Sequence, residues 1–173
     1  YPPTLPHGIE VATHTTTRFL NPPPNLRPGV AIAKAAPTVD FLYYPGQDYP
    51  GHPWSHRSDG IVVSNKYYSS ANDHLSPRGT AKLYEYDAAT RKIRVLADTT
   101  HFLGSAGAFT PGMNYRPGEM QSRIDLGSDG WLYYATDRGS PTGTHDGNGY
   151  LGDWVLRTHP ETSETKIVCA FPG

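Results

Sequence analysis

Short runs of β-forming residues, separated by polar turn residues, follow one another along the chain from about residue 54 onward. The runs at 66–71 and 131–136 each contain a Tyr pair, and they directly follow the turn dipeptides Ser-Asn and Asp-Gly. In a strand, one Tyr of each pair points to the core and its neighbour points out. The pattern of hydrophobic and polar positions therefore predicts an all-β protein of short strands and tight turns.

Two of these runs recur at a fixed spacing. Residues 83–96 align without a gap with residues 155–168, and each copy reads as a strand, a tight turn and a strand. Asp87 and His159 open the two turns with a polar side chain, which suits that position. A further strand pair precedes each copy, at 60–71 and at 123–136. Each copy is therefore predicted to be a four-stranded antiparallel meander.

This recurring meander has an outer hairpin of the form Leu-Tyr-x-Tyr-Asp-x-x-Thr-x-x-x-x-Val-Leu. It resembles the blades of β-propellers, and in particular the secreted propellers with streptogramin-lyase, gluconolactonase and YVTN-type repeats. The resemblance covers residues 54–171 and implies antiparallel four-stranded propeller-type blades. It transfers no chemistry, because the metal ligands of the lactonase-like propellers come from several blades and no motif here matches them.

The resemblance divides the chain into four parts. Residues 1–53 are an extended Pro-rich arm or incomplete blade with one strand at 39–44, residues 54–97 are a first blade, residues 98–120 are an inter-blade loop, and residues 121–173 are a second blade. A propeller closes its ring with about four to eight blades. We therefore expect the chain to be part of a larger propeller, completed by further blades or by another protein chain.

Composition and charge exclude several classes of protein. The chain has 173 residues with 18 Gly and 17 Pro, which favours turns and short strands over helices. Its net charge of −1, from well-mixed charges, argues against nucleic-acid binding, and no apolar run is long enough for a membrane span. Cys169, the single cysteine, excludes an internal disulfide and is expected to be a buried small apolar residue. The overall composition favours a secreted or periplasmic protein.

The connections between strands predict one elaborated face. In a four-stranded meander successive connections lie at opposite ends, so the long connections 72–80, 98–121 and 137–153 fall together, away from the short turns. This face collects the candidate binding residues Asp73, His74, Gln121, Arg123, Asp137, Arg138, His145 and Asp146, with His52 and His56 nearby.

Two interpretations of these residues stay open. Asp73-His74 and Asp137-Arg138 follow equivalent strands, where they could hold a divalent metal or an acidic sugar; alternatively, the Asp residues cap turns and Arg138 pairs locally. The loop 144–153 partly resembles a calcium loop, but it lacks the full ligand series and the distant Glu. The alternative there is a turn-rich insertion.

Two functions are compatible with this sequence. The favoured one is a non-catalytic β-propeller module that binds or scaffolds a protein partner or a glycan within a larger assembly. The alternative is part of a secreted propeller lyase or hydrolase, acting on carbohydrate or lactone substrates with a metal at the channel mouth.

Overall fold

The computed structural model describes residues 8–46, 58–73, 80–108, 117–138 and 152–171. Within these ranges the chain is mostly antiparallel β-sheet with one short α-helix, which confirms the all-β prediction. No helix in the described ranges is long and apolar enough to cross a membrane. The elements, in chain order, are β1 (Val11–Thr15), a 3-10 helix (Thr17–Leu20), β2 (Thr38–Leu42), β3 (Ile61–Val63), β4 (Lys66–Ala71), β5 (Lys82–Asp87), β6 (Lys92–Asp98), α1 (Thr99–Ser105), β7 (Pro117–Glu119), β8 (Asp125–Leu126), β9 (Leu132–Ala135), β10 (Asp137–Arg138), β11 (Asp153–Thr158) and β12 (Thr165–Phe171).

The two predicted meanders are present as two four-stranded antiparallel sheets. Sheet 1 has the order β3-β4-β5-β6, and sheet 2 has the order β8-β9-β11-β12. We call the face of sheet 1 that carries Leu83, and the face of sheet 2 that carries Val155, the front face of each sheet. The rear faces carry Tyr84 and Leu156, since neighbours along a strand point to opposite sides.

The turn between the two outer strands is built the same way in both sheets. The carboxylate of Asp87 accepts the Ala89 backbone N–H at 2.8 Å, and Nδ1 of His159 accepts two backbone N–H groups of its own turn. Each turn then contains a residue with positive φ, Arg91 at 53° and Ser163 at 61°. The repeat seen in the sequence is therefore also a repeat of backbone conformation.

Both sheets share one apolar core. The front face of sheet 1 packs against the rear face of sheet 2, and side chains such as Leu83, Leu132 and Leu156 are fully buried between them. Burial of this kind contributes about 1.5–3 kcal/mol for each large apolar side chain. The buried members of the core are Tyr68, Ala81, Leu83, Leu96, Ala97, Leu103, Met120, Ile124, Leu132, Tyr134, Trp154 and Leu156.

The rear face of sheet 1 is covered by the N-terminal arm. Val11 and Leu42, from the paired strands β1 and β2, pack against the buried Tyr84 and Tyr86. The Tyr86 hydroxyl donates to Oδ2 of Asp40 at 2.5 Å. Burial, followed by this bond to a carboxylate, raises the pKa of Tyr86 to about 12, so the hydroxyl stays protonated as a donor.

The arm and the connection 98–120 contain elements that the sequence did not predict. The arm is not simply extended, because β1 pairs with β2, and β2 spans 38–42 rather than 39–44. The connection contains α1 and β7 instead of only loop. Asp98 explains the start of α1, since its side chain accepts the His101 backbone N–H at 2.9 Å as an N-cap. Cys169 is exposed, so the expectation that it is buried is wrong.

A buried carboxylate organises the end of sheet 1 that carries the short turns, which we call the turn end. Glu85 is bound by Lys66 at 3.1 Å, by Arg94 at 2.9 Å and by the Tyr68 hydroxyl at 3.0 Å. Burial raises the pKa of Glu85, but the combined hydrogen bonds from its three partners outweigh burial and hold that pKa below its ordinary value. Arg94 also donates to the Pro160 carbonyl at 2.8 Å, which ties sheet 1 to the outer turn of sheet 2.

We predict that Leu156→Ala lowers the free energy of unfolding by about 2–5 kcal/mol, because it leaves a cavity in the shared core. Ile167→Ala is the matched control in the neighbouring strand, where Ile167 is 39% exposed, and it should cost about 1 kcal/mol or less. Urea denaturation followed by circular dichroism measures both. Equal losses for the two variants would contradict a core shared between the sheets.

Glu85→Gln is expected to cost about 1.5–3 kcal/mol at neutral pH, because it removes charge-assisted hydrogen bonds. The folded pKa of Glu85 lies below its ordinary value of 4.5. Above pH 4.5 the ionised carboxylate therefore contributes its full stabilisation to the fold. This contribution disappears as the pH falls through the lowered pKa of the folded state.

The difference in stability between the wild type and Glu85→Gln should thus shrink on acidification below pH 4.5. Melting temperatures measured from neutral to acidic pH test this. Glu161→Gln, which changes an exposed turn residue, serves as the control and should track the wild type throughout. A difference that stays constant with pH would argue against an ionised Glu85 in the fold.

Candidate functional site

The described ends of the long connections lie at one end of the two sheets, which we call the loop end. The Asp73 backbone N–H, just after β4, donates to the Gly118 carbonyl of β7 at 3.1 Å. On its other side β7 pairs with β10, with Glu119 opposite Asp137. Helix α1 contacts the same strand through Thr100, whose hydroxyl donates to a β7 carbonyl at 2.8 Å. Strand β7 therefore joins the ends of sheet 1 and sheet 2.

Asn72 holds β7 in place. Its side chain is fully buried, and its Oδ1 accepts the Met120 backbone N–H at 3.0 Å while its Nδ2 donates to the Met120 carbonyl at 3.4 Å. A side-chain amide can satisfy both backbone groups of one residue because it carries a donor and an acceptor. Asn72 thus replaces a strand partner at the point where β4 ends.

Three predicted site residues lie close to one another at the loop end, around a fourth that was not predicted. Asp73 and Glu119 are almost fully buried, at 1% and 2% exposure. Nε2 of Gln121 donates to Oε2 of Glu119 at 2.5 Å, and Asp137 is half-buried opposite Glu119. At the described part of the loop end, the carboxylates of Asp73 and Glu119 are therefore buried, Asp137 is half-buried and the Gln121 amide is exposed.

Arg123 forms its ion pair outside this group. Its Nε pairs with the Asp125 carboxylate at 3.0 Å, and the two side chains are 68% and 60% exposed. An ion pair so open to solvent is worth little energy. The structure therefore assigns Arg123 a local surface pair at the start of sheet 2.

The other predicted residues lie outside the described residues. These are His52, His56, His74, His145 and Asp146, together with most of the calcium-like loop 144–153. Arg138 lies in β10 beside Asp137, and its side chain is likewise outside what the structure describes. Among the described residues, no group of three or more His, Cys, Asp or Glu side chains is arranged to hold a metal ion. A calcium or other divalent site stays a prediction.

Neither Glu119 nor Asn72 could be recognised as a site residue from the sequence. Glu119 lies in a three-residue strand within Pro117-Gly118-Glu119, which is too short and too rich in Gly and Pro to show a strand pattern. Asn72 comes at the end of β4, where Asn is expected as an ordinary turn residue. Only the long-range pairing of β7 with the end of β4 gives these two residues their role.

Comparison with known proteins does not identify a relative, since no protein-family model, no curated protein and no solved structure matches the chain.

We predict that Asn72→Ala destabilises the protein by about 1–3 kcal/mol, because the buried N–H and C=O of Met120 lose their partner. Asn65→Ala is the matched control, since the Asn65 amide donates at 2.6 Å to Asp87 in an exposed turn. Thermal denaturation should show a clearly larger loss for Asn72→Ala. Hydrogen exchange of Met120 should also accelerate in that variant only; unchanged protection would contradict the anchoring role.

Proposed function

We propose that the chain is a non-catalytic binding and scaffolding module of β-propeller type, and that its loop end binds a neutral glycan. The observation that carries this proposal is the direction of stacking. The rear face of sheet 2 packs on the front face of sheet 1, and the rear face of sheet 1 carries the arm. The two equivalent sheets thus stack rear face on front face, as successive blades of a propeller do.

The register supports equating the two sheets position by position. Tyr68 lies opposite Glu85 in sheet 1, and Tyr133 lies opposite Arg157 in sheet 2. Glu85 and Arg157 are equivalent in the repeat, so the two Tyr residues are equivalent as well. Stacking in one direction brings all the long connections to the same end, which is how propellers concentrate binding on one face.

The chemistry of the loop end supports a neutral glycan as the ligand. Its described surface groups are the half-buried Asp137 carboxylate and the exposed Gln121 amide, and groups of both kinds hydrogen-bond sugar hydroxyls. The Asp137 carboxylate, with the buried carboxylates of Asp73 and Glu119 close by, would repel an acidic sugar. The Gln121 amide donates to Glu119, which holds Gln121 in place before a ligand arrives.

A binding role fits these side chains better than catalysis. Asn72 is engaged with the Met120 backbone and joins the end of β4 to the segment after β7, whereas Gln121 bonds Glu119 within its own segment. The alternative function, a secreted propeller lyase or hydrolase with a metal at the channel mouth, requires Asp73, His74, Arg123, Asp137 and Arg138 to converge on one cavity. Arg123 pairs with Asp125 instead, and His74 and the Arg138 side chain lie outside the described residues.

We predict that Asp137→Ala and Gln121→Ala each weaken binding of neutral oligosaccharides about tenfold, because each removes a hydrogen bond worth about 1.4 kcal/mol. Isothermal titration calorimetry of the full chain against neutral and uronic-acid oligosaccharides measures this. Glu161→Ala, at the opposite end, should bind like the wild type.

Chromatography of the same sugars after prolonged incubation with the protein should show no cleavage. Cleavage would overturn the non-catalytic role in favour of the lyase or hydrolase. Equal affinity of all three variants would show that the loop end is not the glycan site.

A further inference from the structure

Both outer strand pairs contain a β-bulge at equivalent positions. In sheet 1 the register shifts between Leu83 and Tyr84, so β6 carries Leu96 as its extra residue; in sheet 2 it shifts between Val155 and Leu156, so β12 carries Val168. A bulge breaks the alternation of side chains locally. Each outer strand thus has a pair of consecutive apolar residues at the same place.

The two pairs differ in their surroundings. In sheet 1 the pair is Leu96 and Ala97, at 3% and 7% exposure, and both belong to the shared core. In sheet 2 the equivalent pair is Val168 and Cys169, and both are exposed, Val168 at 48%. The front face of sheet 2 therefore has the same backbone conformation as the buried front face of sheet 1, but none of the described residues packs over it.

The turn end of this face is already ordered. The guanidinium of Arg157 lies 4.6 Å from the Trp131 ring centroid, and Nζ of Lys166 lies 5.0 Å from it. Asp129 pairs with Arg157 at 3.0 Å and Glu164 pairs with Lys166 at 2.8 Å, so both cations are neutralised locally. The face is thus near neutral around an apolar centre, which suits an apolar partner surface rather than a strongly charged one.

Arg94 is the equivalent of Lys166 in sheet 1, and it bonds to the sheet that covers it. Glu85 lies opposite Arg94, as Arg157 lies opposite Lys166. Arg94 donates to the Pro160 carbonyl at 2.8 Å and to the Ser163 hydroxyl at 3.2 Å, both in the outer turn of the sheet that covers it. By equivalence, Lys166 is positioned to reach the outer turn of a covering sheet.

We propose that the front face of sheet 2 is the docking surface for a further four-stranded antiparallel sheet that is not a copy of this chain. Its rear face would be apolar and cover Val155, Val168 and Cys169, and its outer turn would offer oxygen acceptors to Lys166. The inference rests on the propeller-type stacking proposed above.

A second copy of the chain fits this surface less well. Within the described residues, the front face of sheet 1 and both rear faces are covered in each copy, so two copies would meet front face to front face. The contact inside the chain is front on rear.

The first test uses Cys169 as a reporter in the protein isolated from its source under native conditions. We predict that alkylation of Cys169 is at least about tenfold slower there than in the purified 173-residue chain, because a docked sheet covers it. A photoreactive reagent attached to Lys166 should crosslink to a turn between two alternating strands in sequence outside these residues. Equal alkylation rates, or crosslinks only within the chain, would overturn the proposal.

The second test uses a matched pair of substitutions in the same material. Val168→Asp should reduce incorporation into the assembly at least about tenfold, because it buries a charge in the interface. Val62→Asp, at a site that is 67% exposed on β3, should be incorporated normally. Equal incorporation of the two would overturn the docking surface, and a dimer of the purified chain broken by Val168→Asp would assign the surface to a second copy.

Glycan binding by purified Val168→Asp separates the two proposals. It should equal that of the wild type, since Val168 lies in the outer strand β12, and β11 separates this strand from β9, which leads to Asp137. Loss of docking with normal glycan binding tests the surface alone, whereas absence of glycan binding in every protein counts against the proposed function only.

Discussion

The contact between the front face of sheet 1 and the rear face of sheet 2 determines the rest of the structure. Leu83 and Leu156 are both fully buried in it, and they come from equivalent strands but from opposite faces. A sheet with an apolar face must bury that face against another layer of the structure. Each sheet therefore supplies the surface that the other requires, and their relative direction is fixed by which face each one buries.

Polar groups reinforce this direction at both ends of the contact. At the turn end, Arg94 joins the buried Glu85 to the Pro160 carbonyl of the other sheet. At the loop end, Asn72 holds the segment that leads from one sheet to the next. Buried polar groups of this kind are costly when their partners are missing, so they penalise alternative packings more than they add to overall stability.

The repeated strands were predictable from sequence because the evidence for them is local. Residues 83–96 and 155–168 share spacing, turn chemistry and β-forming residues, and the structure shows the same hairpin in both. Strands β1 and β7 were missed because each becomes a strand through a distant partner. Exposure of Cys169 was missed for a related reason, since the same strand pattern is buried at Ala97 and open at Cys169. Burial at such a position depends on the neighbouring sheet, which the pattern of a single strand does not specify.

The bulge in β6 also determines where the helix can form. Because Leu96 is an extra residue, Asp98 lies directly opposite Lys82 and bonds it at 3.3 Å, while the same carboxylate caps the first turn of α1. Deleting one residue from this strand would turn Asp98 to the other face of the sheet. The helix would lose its cap, so the position of α1 depends on the number of residues in β6.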